Sequence, residues 1–375
     1  MKKIITVCLI SLITVTTLAH SEDLPDDLTE LSLDALINVQ VTSVSKKKES
    51  LNKAAAAVYV LSGDEIRRSG ASSIPEALRM VPGVHVARID THTWAISARG
   101  FNGSISDKLE VLMDGRSLYT PFFSGVFWDA QDTYMEDIDR IEVIRGPGAT
   151  LWGVNAVNGV INIVTKSSSE TQGLNAYVGG GDELKQLAGL RYGSKLGDKG
   201  HWRAYLKTTT RDDSVQANGL QSTDGYEMTQ GGFRVDWDGN ERDSFTVQGD
   251  VYDSSLENPV IAPPAGNNPA GDDDDVSGYN LIGRWNRALG NGSSFALQLY
   301  IDHTERSSPG VFGEERDTYD LDFNHSFSLG ERHEIVWGGG YRRSEDEQEN
   351  PPVAPFSGRL LFLPDSERVS TYNLF

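Results

Sequence analysis

From Gln172 to Phe375 apolar and polar residues alternate with a period of two. In one run Trp202, Ala204 and Leu206 fall opposite Arg203, Tyr205 and Lys207, and Phe245 to Val251, Phe295 to Ile301 and Tyr319 to Asn324 repeat the pattern. Successive side chains of an extended chain point to opposite faces, so each run predicts a strand with one apolar and one wet face. A soluble β-sandwich and a transmembrane β-barrel both produce this alternation. Three features favour the barrel. The runs are about 9–11 residues, enough to cross a bilayer when tilted. Trp, Tyr and Phe gather near their ends, where aromatic girdles lie. Short turns such as Gly239-Asn240 and Gly290-Asn291-Gly292 alternate with long loops such as Leu256 to Asp275. About ten such strands are predicted.

Leu51 to Lys166 reads differently, as a small α+β domain. Ser62 and Glu65 have capping-box spacing, with Gly70 placed to end the helix. Ser73 and Glu76 repeat the spacing, and that second helix must stop before Pro82. Asp114-Gly115, between two apolar runs, accepts the positive φ angles of a type I′ hairpin turn. Ile138 to Arg145 and Val160 to Lys166 are further strands.

The remaining composition narrows the class. Met1-Lys2-Lys3, the apolar run Ile4 to Leu18 and the small residues Ala19 and Ser21 predict a secretory signal over residues 1–21. Cys8 is the sole cysteine, so the exported chain has no disulfide, thiolate metal site or cysteine nucleophile. A formal charge of −20 argues against nucleic acid as a partner. No later stretch reaches the roughly 18 apolar residues of a spanning helix. Gly146-Pro147-Gly148 lacks the Gly-Lys-Ser/Thr of a phosphate loop, and Pro147 removes a donor. Asp272 to Asp275 lacks the spaced ligands of a calcium loop. His333-Glu334 lacks a second histidine, and no Gly-x-Ser-x-Gly elbow occurs. No catalytic residue, metal site or cofactor is expected.

Four blocks of the α+β domain resemble the plug of the TonB-dependent outer-membrane receptors, in the family's order. They are Ile74-Pro75-Glu76-Ala77-Leu78-Arg79-Met80-Val81-Pro82-Gly83-Val84, Ile96 to Phe101 with Val111 to Arg116, Ile141 to Gly148, and Leu151-Trp152-Gly153 with Asn158 to Lys166. The resemblance implies a leader over 22–50, a plug over 51–168 and the N-terminal portion of an outer-membrane barrel over 172–375. It implies energised uptake of a scarce bulky ligand, a ferric siderophore first, with cobalamin or carbohydrate as alternatives. A passive outer-membrane binding protein is the competing class. The implied partners are the periplasmic domain of a TonB-like protein, outer-membrane lipid and an iron chelate or cobalamin-like ligand, with the receptor itself a monomer.

Site residues follow from the same resemblance. Val39, Gln40, Val41, Thr42 and Ser43 form the candidate TonB box, a β-prone stretch suited to strand addition, although the plug's own first strand would read alike. Arg99 and Arg145 stand where family arginines pair with barrel glutamates and lock the plug, glutamates expected on later strands than these ten. Arg88, His92, Trp94, Phe122, Phe123 and Trp128 lie on candidate apices and offer stacking and charge to a ligand, or packing against the wall. A ten-stranded barrel would have a radius of only about 10 Å, against about 22 Å for twenty-two strands. A domain of this size needs about 17–18 Å. The ten strands are therefore expected not to enclose the domain. Asn373 stands where the alternation of the last run is expected to want an apolar residue, and Phe375 reads as a break within a barrel.

Overall fold

The structure, a computed structural model, describes residues 40–41, 49–50, 56–100, 103, 108–153, 155–257, 273–309, 312–330, 333–350 and 363–375. The predicted signal, most of the leader and residues 258–272 lie outside them. β1 (Gln40–Val41) pairs antiparallel with β2 (Glu49–Ser50) as a short ribbon.

The α+β domain follows. Its five-stranded sheet has the order β3 (Val58–Ser62), β8 (Ile138–Arg145), β9 (Gly159–Thr165), β6 (Leu109–Met113) and β7 (Arg116–Ser117). All neighbours are antiparallel except β6 and β9. β4 (Val84–Arg88) and β5 (Trp94–Ala98) form a separate hairpin. Val111, Ile141, Val143, Ile161 and Ile163 on one sheet face pack against Ile66, Ile74 and Leu78 of the two helices α1 (Gly63–Ser69) and α2 (Ile74–Leu78). The opposite face carries Leu112, Ile144 and Val160, packed with Ala156 behind the short helix α3 (Ala149–Trp152).

The local signals decide these boundaries. Ser62 and Glu65 form the expected capping box, and Gly70 ends α1 in the left-handed region at φ 71°. Gly63 is required by packing: a Cβ there would lie 2.2 Å from the Ile138 carbonyl oxygen. Asp114 and Gly115 take φ 48° and 82°, joining β6 to β7 as the hairpin rule predicts. The second capping box does not form. Ser73 caps α2 without a side-chain bond, and Glu76 instead accepts from the Ser72 N–H and hydroxyl at 2.8 Å each.

The wall is one antiparallel meander of ten strands, β10 to β19, each paired with the next. They are β10 (Gly173–Gly179), β11 (Leu184–Leu196), β12 (Gly200–Arg211), β13 (Tyr226–Asp238), β14 (Asp243–Leu256), β15 (Asp274–Gly290), β16 (Ser293–Ser308), β17 (Phe312–Leu329), β18 (His333–Glu349) and β19 (Ser366–Leu374). β10 and β19 remain the sheet's two edges, so ten strands do not close around the domain. Several strands exceed the expected length: β15 has 17 residues and β17 has 18. Their loop-side ends are polar on both faces, as in Gly313-Glu314-Glu315-Arg316-Asp317, so apolar alternation marks only the part that meets lipid.

Val247, Gly283, Leu299, Leu321 and Tyr341 lie in one lateral row across β14 to β18 on the outward face. Towards the short turns a belt of ring contacts runs from Trp237 through Phe245, Trp285, Phe295 and Phe323 to Trp337. An apolar band edged by aromatics is the outer surface of a membrane barrel. The reading of Asn373 needs correction. It pairs with Gly340 on the inward face, while Tyr372 and Leu374 take the outward one, so the alternation holds through β19. Leu299→Arg should cost about 2–4 kcal/mol by placing a guanidinium at mid-bilayer depth. Urea unfolding in lipid vesicles reads that loss, and an unchanged midpoint would place the row outside the bilayer.

Candidate functional site

The inward wall face meets the α+β domain through charge. On β12 the inward residues include Arg203, Lys207 and Arg211, opposite the apolar face that holds Leu206. Arg203 lies 3.1 Å from the Asp137 carboxylate, which Arg191 of β11 approaches to 3.4 Å from the other side. These two contacts act through charge, since neither Asp137 oxygen receives an aligned hydrogen bond. Lys207 pairs with Asp132 and donates to the Thr133 carbonyl at 3.2 Å. Arg211 donates to Glu76 and to the Ser72 hydroxyl, both at 2.8 Å, and contacts Glu183 at 3.3 Å.

The neighbouring strands extend the interface. The Asp114 side chain accepts from the Thr165 N–H at 2.9 Å, the Thr165 hydroxyl at 2.7 Å and Gln248 at 2.8 Å. Arg284 donates to the Asp114 carbonyl at 2.7 Å, and Arg234 to the Thr165 hydroxyl at 3.1 Å. Arg306 pairs with Asp129 at 2.6 Å, its guanidinium 4.2 Å from the Phe127 ring centroid. Two pairs run the other way, Arg116 of the domain with Asp302 of the wall at 3.1 Å and Arg88 with Glu183 in the turn between β10 and β11.

Position sets the titration of the domain's carboxylates. Burial alone would raise Glu76, but hydrogen bonds from Ser72 and the charge of Arg211 outweigh it and hold the carboxyl below its ordinary value. Asp114 is lowered in the same way, with Arg234 and the Thr165 and Gln248 bonds overcoming burial. Asp137 is raised: burial dominates, and Arg203 and Arg191 recover only part.

The candidate ligand residues separate into two groups. Arg88 pairs with Glu183 and lies 5.8 Å over the Trp94 ring, which Arg79 covers from 5.3 Å. Arg79, Arg88, Trp94, Met80, Glu76 and Glu183 line a cavity of about 420 Å³. The others are packed. His92 stacks on Tyr226 and its Nε2 lies 3.3 Å from the Glu257 carbonyl, leaving 8% of its surface exposed. Phe122 meets Phe312, Phe123 stacks on Phe127, and Trp128 belongs to the domain core.

The Arg99 guanidinium approaches Gly146, whereas the Arg145 side chain lies against Gly83. Arg99 is exposed with φ 59°, and Arg145 donates to the Pro82 carbonyl at 3.3 Å. Among the described residues neither meets a wall carboxylate. Of the candidate box, Gln40 and Val41 form β1 and Val41 is fully buried, while Val39, Thr42 and Ser43 lie outside the described residues. His303, Glu315 and Asp317 bring possible ligand atoms within 4.8 Å of one another, but His303 Nδ1 is hydrogen-bonded to Asp317 at 2.9 Å. Sequence reasoning missed Glu76, Asp129, Asp132 and Asp137 as docking groups. The parity of Arg203, Lys207 and Arg211 on one face of β12 was the available signal.

Comparison with known proteins agrees with this architecture. Residues 50–160 match the family described as TonB-dependent Receptor Plug Domain. The chain is 26% identical over 234 residues to the vitamin B12 transporter BtuB of Vibrio vulnificus, covering 61% of this chain and 33% of that protein. It is 29% identical over 168 residues to the BtuB of Vibrio cholerae, covering 45% and 27%. The chain thus spans about a third or less of these curated relatives. Among solved structures, the ferripyoverdine receptor of the Pseudomonas aeruginosa outer membrane superposes with a TM-score of 0.66 at 17% identity, over 90% of this chain and 50% of that one. The ferric yersiniabactin uptake receptor FyuA of Yersinia pestis gives 0.62 at 15%, over 82% and 51%. These two likenesses are of fold.

Glu76→Gln should weaken docking of the domain by about 1.5–3 kcal/mol, the range for hydrogen bonds to charged groups. The pH dependence has a definite sign. A depressed folded-state value means the Glu76 contribution is complete above the ordinary glutamate range and is lost as pH falls through the lowered value. Urea titrations followed by Trp fluorescence at several pH values measure both effects; a variant with the wild-type midpoint and pH profile would remove Glu76 from the interface.

Proposed function

Because the chain belongs to the TonB-dependent receptors, with their plug domain and a ten-stranded portion of their barrel, we propose that it serves energised uptake of a scarce, bulky ligand across the outer membrane. The observation that carries this reading is the chemistry of the seam between plug and wall. The plug's main apolar core lies within the plug, whereas its contacts with the wall combine the ion pairs at Glu76, Asp129, Asp132 and Asp137 with one small apolar cluster at Phe127 and Ala130. Polar contacts of this kind can be exchanged for water without exposing a core. A plug seated through them is held in register yet can be displaced.

Displacement needs a pulling partner, and the periplasmic domain of a TonB-like protein fits that role through strand addition at Val39 to Ser43. Gln40 and Val41 already pair with Ser50 and Glu49, so a partner strand would replace a two-residue ladder. The chain would be exported to the outer membrane through residues 1–21. The cavity beside Trp94 presents the guanidinium groups of Arg79 and Arg88 to a small-molecule ligand. A ferric siderophore is our first assignment. A corrinoid is the second, favoured by the vitamin B12 transporters among the relatives. The role is import, with no chemical step assigned.

Growth of a receptor-deficient strain carrying this gene, on a panel of iron chelates and on cobalamin, tests the reading. Uptake should vanish when the TonB-like partner is deleted. Uptake that continues unchanged would mark a passive binding protein or pore instead.

A further inference from the structure

The wall that the plug leaves behind is chemically unusual for so acidic a chain. The protein has 54 Asp and Glu against 34 Lys and Arg, yet β12 contains no acidic residue. Its inward cations Arg203, Lys207 and Arg211 are spaced by four residues, about 13 Å along a strand, so the row runs for about 26 Å. Tyr205 and Thr209 lie between them on the same face. At the lower end Arg203 stands directly opposite Arg234 of β13, a like-charge pair that is unfavourable in a ladder unless anions compensate it.

The plug supplies much of that compensation, with Asp137 against Arg203, Asp132 against Lys207 and Glu76 against Arg211. The topmost cation also touches Glu183, which lines the cavity beside Arg88 and Trp94. The row therefore begins at the cavity and descends along the wall.

We infer that the β12 row Arg211, Lys207 and Arg203 is a passage surface for anionic cargo, covered by plug carboxylates at rest and bared when the plug is displaced. This rests on the uptake reading and adds the charge class of the ligand. An anionic chelate entering at the cavity replaces the plug's carboxylates one cation at a time. Each step exchanges one charge-assisted contact for another, so the ligand meets no single deep trap. A merely mechanical role for the row would require the pairs, but not which side bears the positive charge.

That distinction sets the experiment. In cells lacking the receptor and complemented with its gene, uptake and binding of radiolabelled ferric tris-catecholate, ferric citrate and cyanocobalamin are measured. The exchanged pair Lys207→Asp with Asp132→Lys keeps an ion pair but reverses the charge of the wall. It should retain heat-modifiable migration and ligand binding while uptake of the anionic chelates falls by about tenfold or more, since facing like charges at contact repel strongly. Should the exchanged protein fail to assemble, Lys207→Gln should slow uptake and Lys207→Arg restore it. Undiminished chelate uptake in the exchanged variant, or in Lys207→Gln, overturns the inference. So does a wild-type receptor that imports cyanocobalamin and neither chelate, an outcome that leaves energised uptake standing. Uptake independent of the TonB-like partner would instead remove the reading beneath it.

Discussion

Plug and wall depend on one constraint: the buried cations of β12, a strand without a carboxylate, must be neutralised from outside that strand. Isolated charge is costly away from water, and pairing offsets much of that cost only when geometry is good. β12 therefore cannot be understood alone. Its Lys207 is 2% exposed, and Asp132 from the plug brings the neutralising charge. The same need recurs at Arg306 with Asp129 and, with the sign reversed, at Arg116 with Asp302. At these positions the docked plug covers the wall's charges.

This charge distribution also explains why the plug has its own closed core. Ile141, Ile161 and Ile163 are fully buried between the sheet and the two helices, so this core is built from the domain's own residues. The seam joins one apolar cluster, Phe127 and Ala130 against Met228, Tyr252, Leu256 and Val276, to many polar contacts whose directionality fixes register. Asp114 shows this well: a turn residue chosen for its positive φ also uses its carboxylate to tie Thr165 of the plug and Gln248 of the wall. A local backbone requirement and a long-range contact meet at one position.

Much of the fold was legible in the sequence because its signals are local. The capping box at Ser62, the turn at Asp114-Gly115 and the two-residue alternation of the wall each depend on neighbours along the chain. What could not be read depends on which strand faces which loop. Glu76 looked like a second capping residue, yet Arg211, far along the chain, gives that carboxylate its partner. The lock expected at Arg99 and Arg145 calls for glutamates of later strands than these ten. Within the ten, the ties run largely from wall cations to plug carboxylates. Sequence parity put Arg203 and Lys207 on one face, but did not show that the plug would answer them. Strand ends were missed for a physical reason too, since alternation fades where both faces meet water.

The length of β17 has a further consequence. Eighteen residues at about 3.3 Å each, tilted by about 40°, rise about 45 Å, whereas the apolar belt of such a barrel is about 25 Å tall. The loop-side ends of β15 to β18 thus form a palisade standing well clear of the lipid. Those ends carry Glu305, Glu314, Glu315, Glu345, Glu347 and Glu349, so the wall beyond the belt is rich in carboxylates while the charged side chains of β12 are all cationic.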